Sequence, residues 1–215
     1  MGASTVELVV AFEILGRHGV PGPWVESAAY LATELAGDAQ AAIAAGTVAT
    51  VAVPPHTPYA LDADVAESVY VAGSDGVREA VAGQAKVSVD RTRRLFEVTP
   101  GPIRDTADRS ADAFDAAVLA TSAQLLGAGE RLLADSVTYV KQRKQFGREI
   151  GSYQAVKHQL ADVRIALDFA RPLVHGAALA PANAPADRAR AVSAAKVACA
   201  DAAYLASRTG LQVHG

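Results

Sequence analysis

Residues 118–170 read VLATSAQLLGAGERLLADSVTYVKQRKQFGREIGSYQAVKHQLADVRIALDFA, and the spacing of their apolar side chains decides the fold. Val118, Leu125, Leu132 and Tyr139 recur every seven residues, with Leu119, Leu126, Leu133 and Val140 beside them. An α-helix turns once in about 3.6 residues, so two such rows form one broad apolar ridge. Four residues on from the first row stand Ser122, Gly129 and Ser136, a groove of small side chains that admits a partner helix closely. Val156, Leu160, Val163, Leu167, Ala170 and Val174 then step by four and three alternately, as a bundle seam does. The spacing predicts long packed helices, with Val118, Leu125, Leu132, Leu160, Val163 and Leu167 buried together.

Working outward, Pro172 should bend the second of these helices near its end. Pro181-Ala182-Asn183-Ala184-Pro185 is a break, and Pro185 suits a helix's first turn. A third helix, about 186–207, is expected to stop at Gly210. Toward the N-terminus the period changes. Val48, Val51 and Val53 form a β-branched run ending at Pro54-Pro55, followed by Val69-Tyr70-Val71 and a turn at Ser74-Asp75-Gly76. Val87-Ser88-Val89-Asp90 and Leu95-Phe96-Glu97-Val98 alternate as half-buried strands do, and Pro100-Gly101-Pro102 closes this small sheet. The first residues return to helix. Ser4-Thr5-Val6-Glu7 fits a capping box, Gly16 is the expected stop, and Trp24–Leu35 and Ala39–Ala45 make two shorter helices. The expected architecture is α+β and mainly α: a helical segment over 1–46, a small β-domain over 47–104 and an up-down helix bundle over 105–215.

Composition narrows the function. Of 215 residues 51% are hydrophobic and 20% charged, the balance of a soluble globular protein. A net charge of −3 gives no basic excess to displace counterions from nucleic acid. No apolar run reaches the roughly 18 residues of a membrane span. Residues 1–10, MGASTVELVV, lack a secretory signal's basic start and a myristoylation signal's hydroxyl. One cysteine, Cys199, suits a reducing cytoplasm. His18, His56, His158, His175 and His214 show no metal-ligand spacing with one another or with Cys199.

Between the two long helices, residues 139–154 gather cations, aromatics, two glycines and the free amides of a helix start near Ser152. Arg grips two phosphate oxygens at once, and helix N-termini favour anions. The residues themselves allow two readings: an anion site suited to a pyrophosphate, or a basic helix end that offsets the helix dipole.

The run from Tyr139 to Asp162, Tyr-x-x-x-Arg-x-Gln-Phe-Gly-x-x-Ile-Gly-x-x-Gln-Ala-Val-x-His-x-Leu-Ala-Asp, resembles the helix-loop-helix signature of acyl-CoA dehydrogenases. Gln212-Val213-His214-Gly215 is similar to that family's later Gln-x-x-Gly-Gly element. Residues 6–36 and 47–98 resemble, more loosely, its last N-terminal helices and a shortened middle β-domain. The resemblance implies an FAD-dependent α,β-dehydrogenation of an acyl-CoA thioester, in fatty-acid or sterol side-chain catabolism. It implies a homo- or hetero-oligomer in which this loop reaches FAD across a subunit interface. Arg143 would take the phosphates, Gln145 and Phe146 would pack beside the cofactor, and Tyr153 and Gln154 would sit near its nucleotide end. Gln212 and Gly215 would contact FAD from the other side.

The chain departs from the family pattern where chemistry is expected. Residues 51–58 replace the Thr-Glu-Pro-x-Gly-Ser-type loop that touches the flavin ring. The family's alternative base position on the helix before the loop falls on Ala117, which moves no proton. Among substitutes, Glu130 is expected to face solvent or pair near Arg131, Glu149 to balance Arg148, and Asp115 to serve the helix dipole. His158 lies four residues past Gln154 on one helix face. None of these is assigned a catalytic role. A helical scaffold that has lost the flavin is the competing reading.

Overall fold

The computed structural model describes residues 4–105, 109–180 and 183–215. The myristoylation reading and the Pro181-Ala182 half of the expected break fall outside them. The chain gathers into two compact units, residues 21–117 and residues 118–215 with the first helix.

In the first unit a π-helix, Val25–Leu31, runs into short α2, Ala32–Glu34, and α3 follows over Gly37–Ala44. The break between α2 and α3 lies at Leu35-Ala36, where the backbone is extended, and Gly37 opens α3 at φ 60°. Strands β1 (Ala49–Ala52), β2 (Ala60–Leu61), β3 (Ser68–Gly73), β4 (Gly76–Lys86) and β5 (Leu95–Asp105) form one sheet in the order β1-β3-β4-β5-β2. β1 pairs with β3 in parallel, and the other pairings are antiparallel. Of the expected β-branched run Val51 lies in β1, whose four residues are buried, while Val48 is exposed before it and Val53 pairs with Thr57 in an isolated bridge after it; Ser74-Asp75 turns β3 into β4.

Two expectations for the sheet fail. Val87–Asp90 is irregular, and Val87 and Val89 are fully exposed. Alternation marks a strand only where a neighbour supplies hydrogen bonds, and this stretch has left the β4–β5 ladder, which closes at Lys86↔Leu95. Pro100-Gly101-Pro102 lies inside β5, which runs on to Asp105. β2 pairs with β5 only at Leu95 and Phe96, and β4 shifts register between Arg78 and Ala80. The prolines therefore occupy an open edge, where a missing N–H removes little.

Tyr30, Leu31, Leu35, Val51, Tyr70 and Val77 form the unit's core. Buried Glu34 accepts a hydrogen bond from the Ser110 hydroxyl at 3.0 Å. Burial, and then the Glu34 carboxylate, pushes the Tyr30 phenol up to about 12.

The second unit is helical. α1 (Thr5–His18) begins on the expected capping box, with the Ser4 amide donating to Glu7. The helix continues through Gly16 and ends at Gly19 in the left-handed region. A Cβ on Gly16 would lie 2.0 Å from the Gln124 carbonyl, and one on Gly127 would lie 2.0 Å from that of Glu13. These glycines let α1 and α4 (Ser110–Gln142) cross in backbone contact, so Gly16 is a packing point rather than a stop. α5 covers Gln154–Ala178 with Pro172 inside it, and α6 covers Pro185–His214 with Pro185 in its first turn. Gly210 does not end α6. It is buried, with its Cβ position 3.4 Å from the Ser136 hydroxyl.

The α5 seam is buried as expected at Leu160, Val163, Leu167, Ala170 and Val174. On α4 the neighbouring row wins: Leu119, Leu126, Leu133 and Val140 are buried, Val118 and Leu125 are half-buried, and Leu132 is exposed. The small row Ser122, Gly129 and Ser136 is buried too, and the helices it admits belong to this chain. The Cβ position of Gly129 lies 2.7 Å from Leu167 on α5 and 3.6 Å from Ala203 on α6.

Glu130 does not face solvent. It accepts from Arg164 at 3.3 Å and Arg171 at 2.9 Å, and Arg171 also reaches Glu13 at 2.8 Å, tying α1, α4 and α5 together. Buried Cys199 has its thiol pushed up to about 11, chiefly by desolvation. At pH 8 a thiol reagent should therefore label native protein at least about a hundred-fold more slowly than unfolded protein, because the thiolate is the nucleophile. Equal rates in a timed labelling assay would mean that α6 opens readily.

Candidate functional site

α4 ends at Gln142, and the Arg143 amide still donates to the Tyr139 carbonyl at 2.9 Å. The chain then forms a small hairpin, β6 (Lys144–Gln145) and β7 (Arg148–Glu149), closed by the Ile150 amide on the Arg143 carbonyl at 2.9 Å. Its two-residue turn is Phe146-Gly147, at φ 52° and 81°. Two positive φ values are what a tight hairpin needs, and glycine adopts them freely. Phenylalanine does not: a bulky residue there is strained, and such strain gathers at functional positions. The ring is 92% exposed. The Ile150–Ser152 turn and Tyr153 then lead into α5.

A cleft of about 510 Å³ opens beside this hairpin, lined by residues of the loop, the start of α5 and the end of α6. Six of the seven residues selected from sequence line it: Arg143, Gln145, Phe146, Tyr153, Gln212 and Gly215. Gln154 does not; it opens α5 and is exposed. Tyr139 and His214 also line the cleft; His214 lies within the Gln212–Gly215 element expected to contact FAD, and Tyr139 had no expected site role. Their rings stack at 4.1 Å with 25° between planes, and the Tyr139 hydroxyl donates to the His214 carbonyl at 3.4 Å. The His214 Nδ1 lies 2.7 Å from the Gly210 carbonyl. A carbonyl only accepts, so this nitrogen carries the proton. In the sequence Tyr139 is the last member of an apolar row and the first residue of the helix-loop-helix run.

The loop's cations divide by partner. Lys144 pairs with Glu149 at 3.5 Å. Glu149 was expected to balance Arg148, but the hairpin register sets it opposite Lys144. Its own backbone amide, and then Lys144, hold its carboxyl below the usual range. Arg148 instead lies over the Tyr153 ring, 4.0 Å from its centre. Arg143 has no side-chain partner among the described residues and lines the cleft. Among the described residues no carboxylate side chain lines the cleft, and His158 is exposed outside it. Among the described residues no group of three or more His, Cys, Asp or Glu is placed to hold a metal, and no helix is long and apolar enough to cross a membrane.

A guanidinium unpaired among the described residues, the rings of Tyr139, Phe146 and Tyr153, and three glutamine amides fit a ligand that joins a phosphate to flat rings. Residues 108–215 match the acyl-CoA dehydrogenase C-terminal domain. Acyl-CoA dehydrogenase IpdE2 of Mycolicibacterium smegmatis is 30% identical over 220 residues, covering all of this chain and 68% of that protein. The ChsE4-ChsE5 complex from Mycobacterium tuberculosis superposes with a TM-score of 0.78 at 23% identity, over all of this chain and 71% of the matched one. Butyryl-CoA dehydrogenase from Megasphaera elsdenii gives 0.78 at 17% identity, over all of this chain and 73% of its own. This chain belongs to the acyl-CoA dehydrogenase family.

Proposed function

We propose that the chain is a subunit of an FAD-dependent acyl-CoA dehydrogenase in fatty-acid or sterol side-chain catabolism, contributing one wall of an FAD site at a subunit interface in the cytoplasm. One observation carries the reading: Arg143, unpartnered among the described residues, opens onto a cleft that also gathers Gln145, Phe146, Tyr153 and Gln212. Arg143 would hold the FAD diphosphate by charge-assisted hydrogen bonds. Phe146, kept outward by its turn, would lie against the nucleotide, and Tyr153 is already braced by Arg148. Gln212 and Gly215 would close the same cleft from the end of α6. FAD, when bound, supplies the hydride acceptor of acyl-CoA dehydrogenation. This chain's part is to orient and neutralise: among the described residues no carboxylate side chain lines the cleft, and the Nδ1 proton of His214 is committed to Gly210.

The test is the flavin absorbance of the protein purified alone and with co-expressed acyl-CoA dehydrogenase subunits. A flavin spectrum in the assembled protein is the expected result. A colourless assembly that stays colourless after incubation with FAD would favour the scaffold reading.

A further inference from the structure

A further cavity, of about 300 Å³, lies within residues 21–117, between α3 and the sheet. The Ala36 amide donates to the Asp105 carboxylate at 3.0 Å, which ties the start of α3 to the end of β5. Three charged side chains line the cavity: Asp38 in the first turn of α3, Glu79 on β4 and Arg104 on β5. All three are exposed, and none has an ionic or hydrogen-bonded side-chain partner among the described residues. The floor is different. Ala39 and Ile43 of α3 pack against the core of the unit, and Ala49 adds a third small apolar surface from β1. Tyr70, 7% exposed, lines the cavity beside Glu79, its register partner on the next strand. A phenol buried to this extent is normally hydrogen-bonded. The Tyr70 hydroxyl has no partner among the described residues and is not sealed from solvent.

We propose that this cavity binds a free α-amino acid with an aliphatic side chain. Arg104 takes the carboxylate, Asp38 and Glu79 take the ammonium, and the side chain lies against Ala42, Ile43 and Ala49. Opposite charges that share one cavity without meeting leave a gap, and a ligand bearing both signs fills it. A simple anion would face two carboxylates, and a simple cation would face the guanidinium, so each is repelled by part of the site. Arginine holds a carboxylate by two parallel hydrogen bonds. The Tyr70 hydroxyl can accept from the ammonium or donate to the carboxylate, which gives the buried phenol its missing partner. A volume of about 300 Å³ stands at the lower end of small-molecule sites and suits a ligand of this size.

The inference is independent of the flavin reading, since the two cavities share no residue. Titration calorimetry on the whole protein tests it with three probes: L-leucine, isocaproate, which is leucine without its ammonium, and isopentylamine, which is leucine without its carboxylate. L-Leucine should bind saturably at millimolar concentration, and each analogue about ten-fold more weakly or worse. Arg104→Ala and Glu79→Gln should each weaken leucine about ten-fold. They should do so selectively: Arg104→Ala leaves isopentylamine no weaker than before, and Glu79→Gln leaves isocaproate no weaker. A misfolded variant would lose every probe alike. Three results overturn the proposal: a wild type that gives no saturable heat with leucine, an analogue that binds as tightly as leucine, and variants that keep the wild-type affinity for it.

Discussion

Replacing Gly127 with Ala should destabilise the helical unit by about 1–3 kcal/mol, although alanine is the better helix former by roughly 1 kcal/mol. The new methyl would sit 2.0 Å from the Glu13 carbonyl oxygen and 2.8 Å from the Arg17 amide nitrogen. Both are backbone atoms of α1, so no rotamer change relieves the contact. The two helices must separate, and the loosening reaches the Arg171 ion pairs with Glu13 and Glu130. Gly176 is the control. It lies exposed within α5 with nothing inside 4 Å of its Cβ position, so Gly176→Ala should be neutral or stabilising by up to about 1 kcal/mol. Denaturant midpoints of the two variants should move in opposite directions. A Gly127→Ala protein as stable as the wild type would mean that α1 does not cross α4 at this point.

The same glycines show where sequence reading stops. Gly16 and Gly210 interrupt apolar patterns, yet neither ends its helix: the Gly16 Cβ position is blocked by the α4 backbone at 2.0 Å, and that of Gly210 is in ordinary contact with the Ser136 hydroxyl at 3.4 Å. Sequence marks the absence of a side chain and does not say which element fills its place. The α4 rows teach a related lesson. A strict seven-residue repeat on a straight helix drifts by about 20° per repeat. Both rows on α4 drift alike, so the row from Val118 keeps to the flank of the core, half-buried at Val118, Leu125 and Tyr139 and 37% exposed at Leu132, while the row from Leu119 lies in the core. The ridge was legible; which flank of it the bundle covers depended on α1, α5 and α6. On α5 a single alternating stripe left no such choice, and its burial followed.

The site divides along the same line. Arg143, Gln145, Phe146 and Tyr153 lie within one short loop and could be chosen from its chemistry and resemblance. Their meeting with Gln212 and Gly215, and the Tyr139–His214 stack, require the ends of α4 and α6 to lie side by side. No local pattern encodes that. Gln154 opens α5 after the turn at Ile150–Ser152, is exposed, and is not among the residues that line the cleft.

Arg143→Ala should weaken FAD retention by the assembled protein ten- to a hundred-fold, while Lys144→Ala leaves it nearly unchanged. The two cations are neighbours in sequence but not in circumstance. Lys144 already faces Glu149 across the hairpin at 3.5 Å, and both are largely solvated, so removing it costs some tenths of a kcal/mol at most. Arg143 lines the cleft and is unpaired among the described residues. If its guanidinium meets the diphosphate, truncation removes a charge-assisted, two-pronged contact worth about 1.5–3 kcal/mol, which converts to the stated loss of affinity. If the loop only offsets the dipole at the end of α4, both variants lose a similar small increment of stability and neither loses flavin. Flavin occupancy of the two purified variants, measured beside their melting midpoints, separates these outcomes. Equal occupancy in both, at the wild-type level, would remove Arg143 from the cofactor site and leave the exposed, strained Phe146 as the loop's remaining claim to it.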